Sequence, residues 1–307
     1  MSNIKEMKLY SDANRILKDL EALGYSKDDK LDLTDLNQFD QLHYHGISSV
    51  QDAIDSINIE QNDKVLEVGA GWGGPSRYIA HKTQAHVFAL ELQQDYSDVG
   101  VELTRRTNLE NLVTHINQDF QNFSLNESKF DKVVSWLALY HIPNREAYTN
   151  KIFNLLHENG MLFIEDLTFG KGFKSSHGTM LENKLFANSL EKYSDYIETC
   201  ANVGFEIIDQ SNLSSPTLSK NLSETLTVQG KKSITIPLGQ VDIKKKIISL
   251  KIILRTCTSE LIMDQNKRRI FGQEKNEYTF RTLRSLIKSI NKASSKFENI
   301  RFDRSEE

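Results

Sequence analysis

Cysteine is nearly absent. Cys200 and Cys257 are the only two, too few by themselves for a disulfide framework or a metal site. No apolar run approaches the roughly 18 residues that a membrane-spanning helix needs. Residues 1–18 carry Glu6 and Asp12 and no apolar core, so they read as neither a secretory signal nor a transit peptide. These absences predict a soluble protein of the cytoplasm. Proline is also scarce, four in 307 residues against 15 glycines, so the breaks that do occur are informative. What is present is ordinary for a globular chain, 38% hydrophobic and 26% charged, which excludes disorder and allows a sizeable core. The net charge of −4 is unevenly spread, −13 over residues 1–230 and +9 over residues 231–307. Such polarity points to two modules or to an anionic contact near the C-terminus.

Ile4, Met7, Ile16, Leu17, Leu20 and Leu23 lie near helical spacing and predict an amphipathic helix over residues 4–23, stopped by Gly24. The run from Asn37 to Gly46 is rich in aromatics and imidazoles and has no period. Ser48 to Ile57 reads as a short helix. From Lys64 to Gln210, strand candidates alternate with helix candidates. The strands are Lys64–Val68, His86–Glu91, Val113–Asn117, Lys132–Trp136, Met161–Glu165 and Phe205–Asp209. The helices are Gly74–Lys82, Gln94–Thr107, Arg145–His157 and Glu191–Val203. That alternation predicts an α/β fold with a doubly wound, mostly parallel sheet. Beyond Ser211, Leu226–Val228 and Ile234–Pro237 read as closing strands. Val241–Met263 reads as helix or strand, its length favouring a helix, and Tyr278–Phe297 reads as a helix. The expected organisation is an N-terminal helical lid over 1–58, a ligand-binding domain over 59–240 and a basic helical extension over 241–307.

The run Val65-Leu66-Glu67-Val68-Gly69-Ala70-Gly71-Trp72-Gly73-Gly74 closes a strand and opens a helix. Glycine lets the backbone turn tightly and approach a ligand. The helix that follows offers free N–H groups and a positive dipole end. Gly69, Gly71 and Gly74 also satisfy a dinucleotide fingerprint, with Glu91 in the acidic position. The glycines alone therefore leave a nicotinamide enzyme open.

Taken with Glu67, the same run resembles motif I of class I S-adenosylmethionine-dependent methyltransferases. The resemblance implies a Rossmann-like methyltransferase fold with a seven-stranded sheet. It also implies S-adenosyl-L-methionine as cofactor, held by Glu67, Gly69, Ala70, Gly71 and Gly73. In that family the acidic position of Glu67 faces the methionine part of the cofactor. Phe88-Ala89-Leu90-Glu91 resembles the second strand, with Glu91 on the ribose hydroxyls and Leu92 beside it. Gln118-Asp119-Phe120 resembles the adenine-binding position. The segment from Ser135 to Pro143, containing Trp136, Tyr140 and His141, resembles the one that lines the transfer site, with Trp136 on the cofactor's side of it. The match runs from about Leu36 to Gln210.

Within that class, residues 37–50, Gly71 to Tyr78 and Trp136 to Pro143 look most like the enzymes that methylate glycine, sarcosine, dimethylglycine or phosphoethanolamine. The expected reaction is methyl transfer to a small amine. Methyl transfer needs alignment of nucleophile, methyl and sulfur, and an ammonium must first lose a proton. His141 is the candidate for that role, with Tyr44 as the second catalytic candidate. His45, Tyr140 and Glu165 are candidates for substrate binding. Each also has a plainer reading. His141 could bond to backbone, Trp136 and Tyr140 could be core aromatics, and Glu165 and Asp166 could bond nearby loops. His43 and His45 lack a third ligand within reach, so no metal is expected.

The basic residues from Lys244 to Lys292 read as a solvated helical face, or as a surface packed against the acidic body or a second subunit. A homodimer is left open. Nucleic acid is disfavoured, because no nucleic-acid module is present and the basic residues are spread out. Two other functions stand beside the first: a silent methyltransferase-like subunit, and an RNA or protein methyltransferase that uses the basic C-terminal part.

Overall fold

The computed structural model describes residues 4–7, 10–124, 129–169, 175–212 and 248–257. Three helices come first: α1 (Arg15–Ala22), α2 (Leu33–Leu36) and α3 (Ile47–Ser56). Then follow β1 (Lys64–Val68), α4 (Gly74–Thr83), β2 (His86–Glu91), α5 (Gln94–Arg106), β3 (Val113–Asn117) and β4 (Phe130–Trp136). The chain continues with α6 (Arg145–Leu155), β5 (Leu156–Phe169), α7 (Ser175–Leu185), α8 (Tyr193–Val203), β6 (Phe205–Asn212) and β7 (Ile248–Cys257).

The seven strands form one sheet in the order β3-β2-β1-β4-β5-β7-β6, and every pairing is parallel. A parallel sheet needs both faces covered, and alternate residues supply two cores. Val65, Val87, Ala89, Val134 and Phe163 join Val50, Ile54 and Ile57 of the α3 region and Ile79 of α4 on one face. Leu66, Leu90, Val133, Leu162 and Ile164 join Tyr148 and Ile152 of α6 and Tyr196 of α8 on the other. The strand order reverses between β1 and β4, and a crevice opens there at the strands' carboxyl ends. This is the doubly wound, Rossmann-like methyltransferase fold.

Two elements differ from expectation. The helix expected over residues 4–23 is a single turn at Ile4–Glu6 and then α1, which starts only at Arg15. Ser11, Asp12 and Asn14 lie between them, and such residues favour turns over helix interiors. Residues 248–257, expected within a helix, form β7 between β5 and β6. Their isoleucines and threonine suit a strand, and the sheet thus continues past residue 240. Helix α7 was not expected. The candidate strands at Leu226–Val228 and Ile234–Pro237, the candidate helix at Tyr278–Phe297 and the basic clusters lie outside the described residues. Among the described residues no helix is long and apolar enough to cross a membrane, and no group of three side chains could hold a metal ion.

Candidate functional site

The crevice holds a cavity enclosing about 890 Å3 of empty space, open solvent at its mouth included. The glycine loop makes its floor. Gly69 follows β1 with φ 78°, and a Cβ there would lie 2.2 Å from Ala138 Cβ, so only glycine fits between the ends of β1 and β4. Gly71 opens onto the cavity, and among the described residues only Leu42 Cδ1, at 3.1 Å, lies near where its Cβ would be. Glu91 ends β2 and is buried. Its Oε2 accepts from Gly71 N–H at 2.8 Å and its Oε1 from Gln93 N–H at 2.8 Å. Burial raises its pKa, and these backbone donors oppose the rise.

Glu67 is also buried, and its Oε2 accepts from Ser76 Oγ of α4 at 2.5 Å. Burial pushes its carboxyl up to about 8, against the pull of Ser76 and Arg77. Asp119, with Gln121 N–H bonded to its Oδ1 at 2.8 Å, and buried Phe120 also line the cavity.

Several rings line the cavity as well. His141 ends a helical turn over Leu139–His141 and lines the cavity. Its Nδ1 lies 3.0 Å from the Phe186 carbonyl. A carbonyl only accepts, so Nδ1 carries the proton and Nε2 keeps its lone pair. Nε2 is buried and has no hydrogen-bond partner among the described residues. Burial pushes this imidazole down to about 4, so it is neutral near pH 7. Tyr10 lines the cavity too, edge-on to His141 at 6.0 Å and to Tyr96 at 5.9 Å. Trp136 lines it beside His43, their rings 5.5 Å apart.

Glu67, Gly69, Ala70, Gly71, Glu91, Leu92, Asp119, Phe120, Trp136 and His141 thus share one cavity. Gly73, Tyr44, His45, Tyr140 and Glu165 are not among its lining residues. Gly73, φ 76°, caps α4, and a Cβ there would meet the His115 ring at 2.7 Å. Tyr44 and Tyr140 pack with Leu137, Leu167 and Leu181 in an apolar cluster that adjoins the cavity at Leu137. His45 is exposed on a left-handed turn, φ 62°. Glu165 is not at a strand end, because β5 runs on to Phe169. It is fully buried under α3, where Ser49 Oγ donates to its Oε2 at 2.6 Å and Trp136 Nε1 donates to that hydroxyl at 3.0 Å.

Asp40, Leu42, His43, Tyr10 and Gln93 also line the cavity, and none was among the sequence candidates. The run 37–46 had drawn notice, but without a period nothing showed that His43 rather than His45 faces inward. The sequence carried no signal for Tyr10.

The sequence model of the mycolic acid cyclopropane synthetase family matches residues 37–232, more than half of the chain. The chain belongs to that family. It is accordingly a class I S-adenosylmethionine-dependent methyltransferase by family. Glycine/sarcosine/dimethylglycine N-methyltransferase from Actinopolyspora halophila is 26% identical over 167 residues, 54% of this chain and 29% of that protein. The 24-methylenesterol C-methyltransferase 2 of Arabidopsis thaliana is 26% identical over 170 residues, 53% of this chain and 47% of that protein. The chain thus spans less than half the length of both. A phosphoethanolamine N-methyltransferase from Haemonchus contortus, solved with phosphomonomethylethanolamine and S-adenosylhomocysteine, shares the fold. Its TM-score is 0.50 at 18% identity, over 62% of this chain and 44% of that one.

The residues of this mycolic acid cyclopropane synthetase family member fit the family's cofactor, S-adenosylmethionine. Each oxygen of Glu91 accepts one backbone N–H and retains acceptor capacity for a ribose hydroxyl. Gly71 leaves the floor open where a side chain would fill it. Glu67 lines the part of the cavity beside Gly69 with a carboxyl that a cation would ionise.

Proposed function

We propose that the protein transfers a methyl group from S-adenosylmethionine to the nitrogen of a small-molecule amine in the cytoplasm. One observation carries the reading: the cavity that holds Glu91 also holds His141, whose buried Nε2 has a lone pair and no partner among the described residues. The cofactor supplies a methyl on a positively charged sulfur. Glu67, Gly69, Ala70, Gly71, Glu91, Leu92, Asp119 and Phe120 are the residues proposed to hold it, Glu91 through the ribose. Gly73 supports the loop from behind.

On the acceptor side, His141 Nε2 takes a hydrogen bond from the N–H of a primary or secondary amine, such as sarcosine, and turns the nitrogen's own lone pair toward the methyl. A tertiary amine has no N–H and is aligned by the cavity walls alone. Held down to about 4, the imidazole cannot keep the proton of an alkylammonium. The amine must therefore be neutral when it is aligned, and orientation is the contribution of His141. Its neutrality also keeps a second positive charge away from the sulfonium. Trp136 and Tyr10 wall the same space. Tyr44, Tyr140 and Glu165 support these walls from outside the cavity, and His45 has no part in this scheme.

The Actinopolyspora halophila relative is named for glycine, sarcosine and dimethylglycine, which supports an amine acceptor. The test is a screen with labelled S-adenosylmethionine against sarcosine, dimethylglycine, phosphoethanolamine, a sterol and a fatty acid. Label transfer to an amine is the expected result. Transfer to the sterol or fatty acid alone would overturn the amine, and no transfer to any acceptor together with no binding of S-adenosylhomocysteine would overturn the activity.

A further inference from the structure

We infer that Arg145 is a positioning residue for His141: it fixes the 186–191 loop so that the Phe186 carbonyl holds the Nδ1 proton and Nε2 faces the cavity bare. The inference rests on the role just proposed for His141.

The Phe186 carbonyl is placed by an unusual backbone. Phe186 is buried and left-handed, φ 52°, a conformation that bulky side chains adopt only when their surroundings hold them there. The residues after it are strapped to the turn that carries His141. Ser189 N–H donates to Tyr140 O at 3.1 Å, and Asn188 Nδ2 donates to His141 O at 2.7 Å. The strap is anchored from below by Arg145, which opens α6 and is buried. Its Nη2 donates to Ser189 O. Its Nε lies 3.3 Å from Glu191 Oε2, and the guanidinium stacks 3.5 Å from the Tyr196 ring of α8.

Arg145 does not line the cavity, so it acts on His141 from a distance, through this loop and through buried Asp166, whose Oδ2 lies 3.9 Å from its Nη1. A planar fork that donates to the Ser189 carbonyl, lies within ion-pair range of the Glu191 carboxylate and stacks on a ring is a geometry that lysine cannot reproduce. Without the fork, the loop keeps its bonds to the turn but loses its tie to α6 and α8. The carbonyl then drifts, and the imidazole can place its proton on either nitrogen.

The experiment is nitrogen-15 NMR of histidine-labelled protein, with the His141 signals identified by their loss in His141→Asn. The wild type is expected to show one neutral tautomer, protonated on Nδ1. Arg145→Lys is expected to show a mixture, with unchanged affinity for S-adenosylhomocysteine by calorimetry. A folded Arg145→Lys protein that keeps the single tautomer overturns the inference. If that variant does not fold, Glu191→Ala replaces it, because Glu191 is the partly exposed partner of the guanidinium. A mixture there supports the inference, and a single tautomer overturns it. A wild-type proton on Nε2 overturns both this inference and the role of His141. A single Nδ1–H tautomer in a protein that methylates no amine overturns the proposed function alone.

Discussion

Arg77 and Asp40 form an ion pair of 3.0 Å in which neither side chain reaches solvent. Arg77 lies in α4 just beyond the glycine loop and also donates to Trp72 O at 2.6 Å. Asp40 belongs to the segment that carries Leu42 and His43 to the cavity, and Gln41 Nε2 donates to its second oxygen at 2.8 Å. The pair therefore fastens one wall of the cavity to its floor. Asp40→Ala leaves a buried guanidinium uncompensated, a change that typically costs about 3–5 kcal/mol. Urea unfolding of the variant should show a loss of that order. A loss below about 1 kcal/mol would mean that the pair is solvated in solution.

Glu91→Gln should weaken binding of S-adenosylhomocysteine by about ten- to a hundredfold, since charge-assisted hydrogen bonds are worth about 1.5–3 kcal/mol. Isothermal calorimetry measures it directly. Part of the loss comes from the loop, because Glu91 also holds the N–H groups of Gly71 and Gln93. Unchanged affinity would separate Glu91 from the cofactor.

Glu67 gives a pH signature. Its carboxyl stands at about 8 in the folded chain against 4.5 ordinarily. Between those values the folded chain holds a proton that the unfolded chain has released. The contribution to stability therefore falls as pH rises through that window. Glu67→Gln has no proton to lose, so its stability should fall less than that of the wild type between about pH 5 and about pH 8. Parallel urea midpoints for the two proteins would place Glu67 near its ordinary value.

His141→Asn should lower turnover on the acceptor by about a hundredfold, the scale of a misaligned nucleophile, and leave S-adenosylhomocysteine affinity intact. A loss confined to KM would mean that His141 binds the amine equally in ground and transition states.

The half of the fold around the crevice was legible. Strands β1 to β4 are short apolar runs bounded by turn residues, and the glycine loop announces itself by composition. The ten residues of β7 were not, because a short apolar run has no period to separate strand from helix. The site divides along the same line. Glu91, Asp119 and Trp136, at or just past strand ends, line the cavity. Glu165 does not, since its burial depends on how far β5 runs past it. Tyr44 and His45 lie in a turn, where neighbouring side chains point in unrelated directions. Arg145 looked like any helix-opening residue until the carbonyl it holds was in view.

Gly74 changes how substitutions in the glycine loop must be interpreted. A Cβ at Gly74 would lie 2.3 Å from the Asp40 carbonyl oxygen, a backbone atom with no room to retreat while Asp40 is paired to Arg77. An alanine there would thus pry the 37–46 segment off the loop without touching any bound molecule. Weakened ligand affinity in Gly74→Ala would record a broken joint between two stretches of chain. At this position a binding assay alone would credit to the ligand what belongs to the protein's own seam, and only a parallel unfolding measurement tells the two apart.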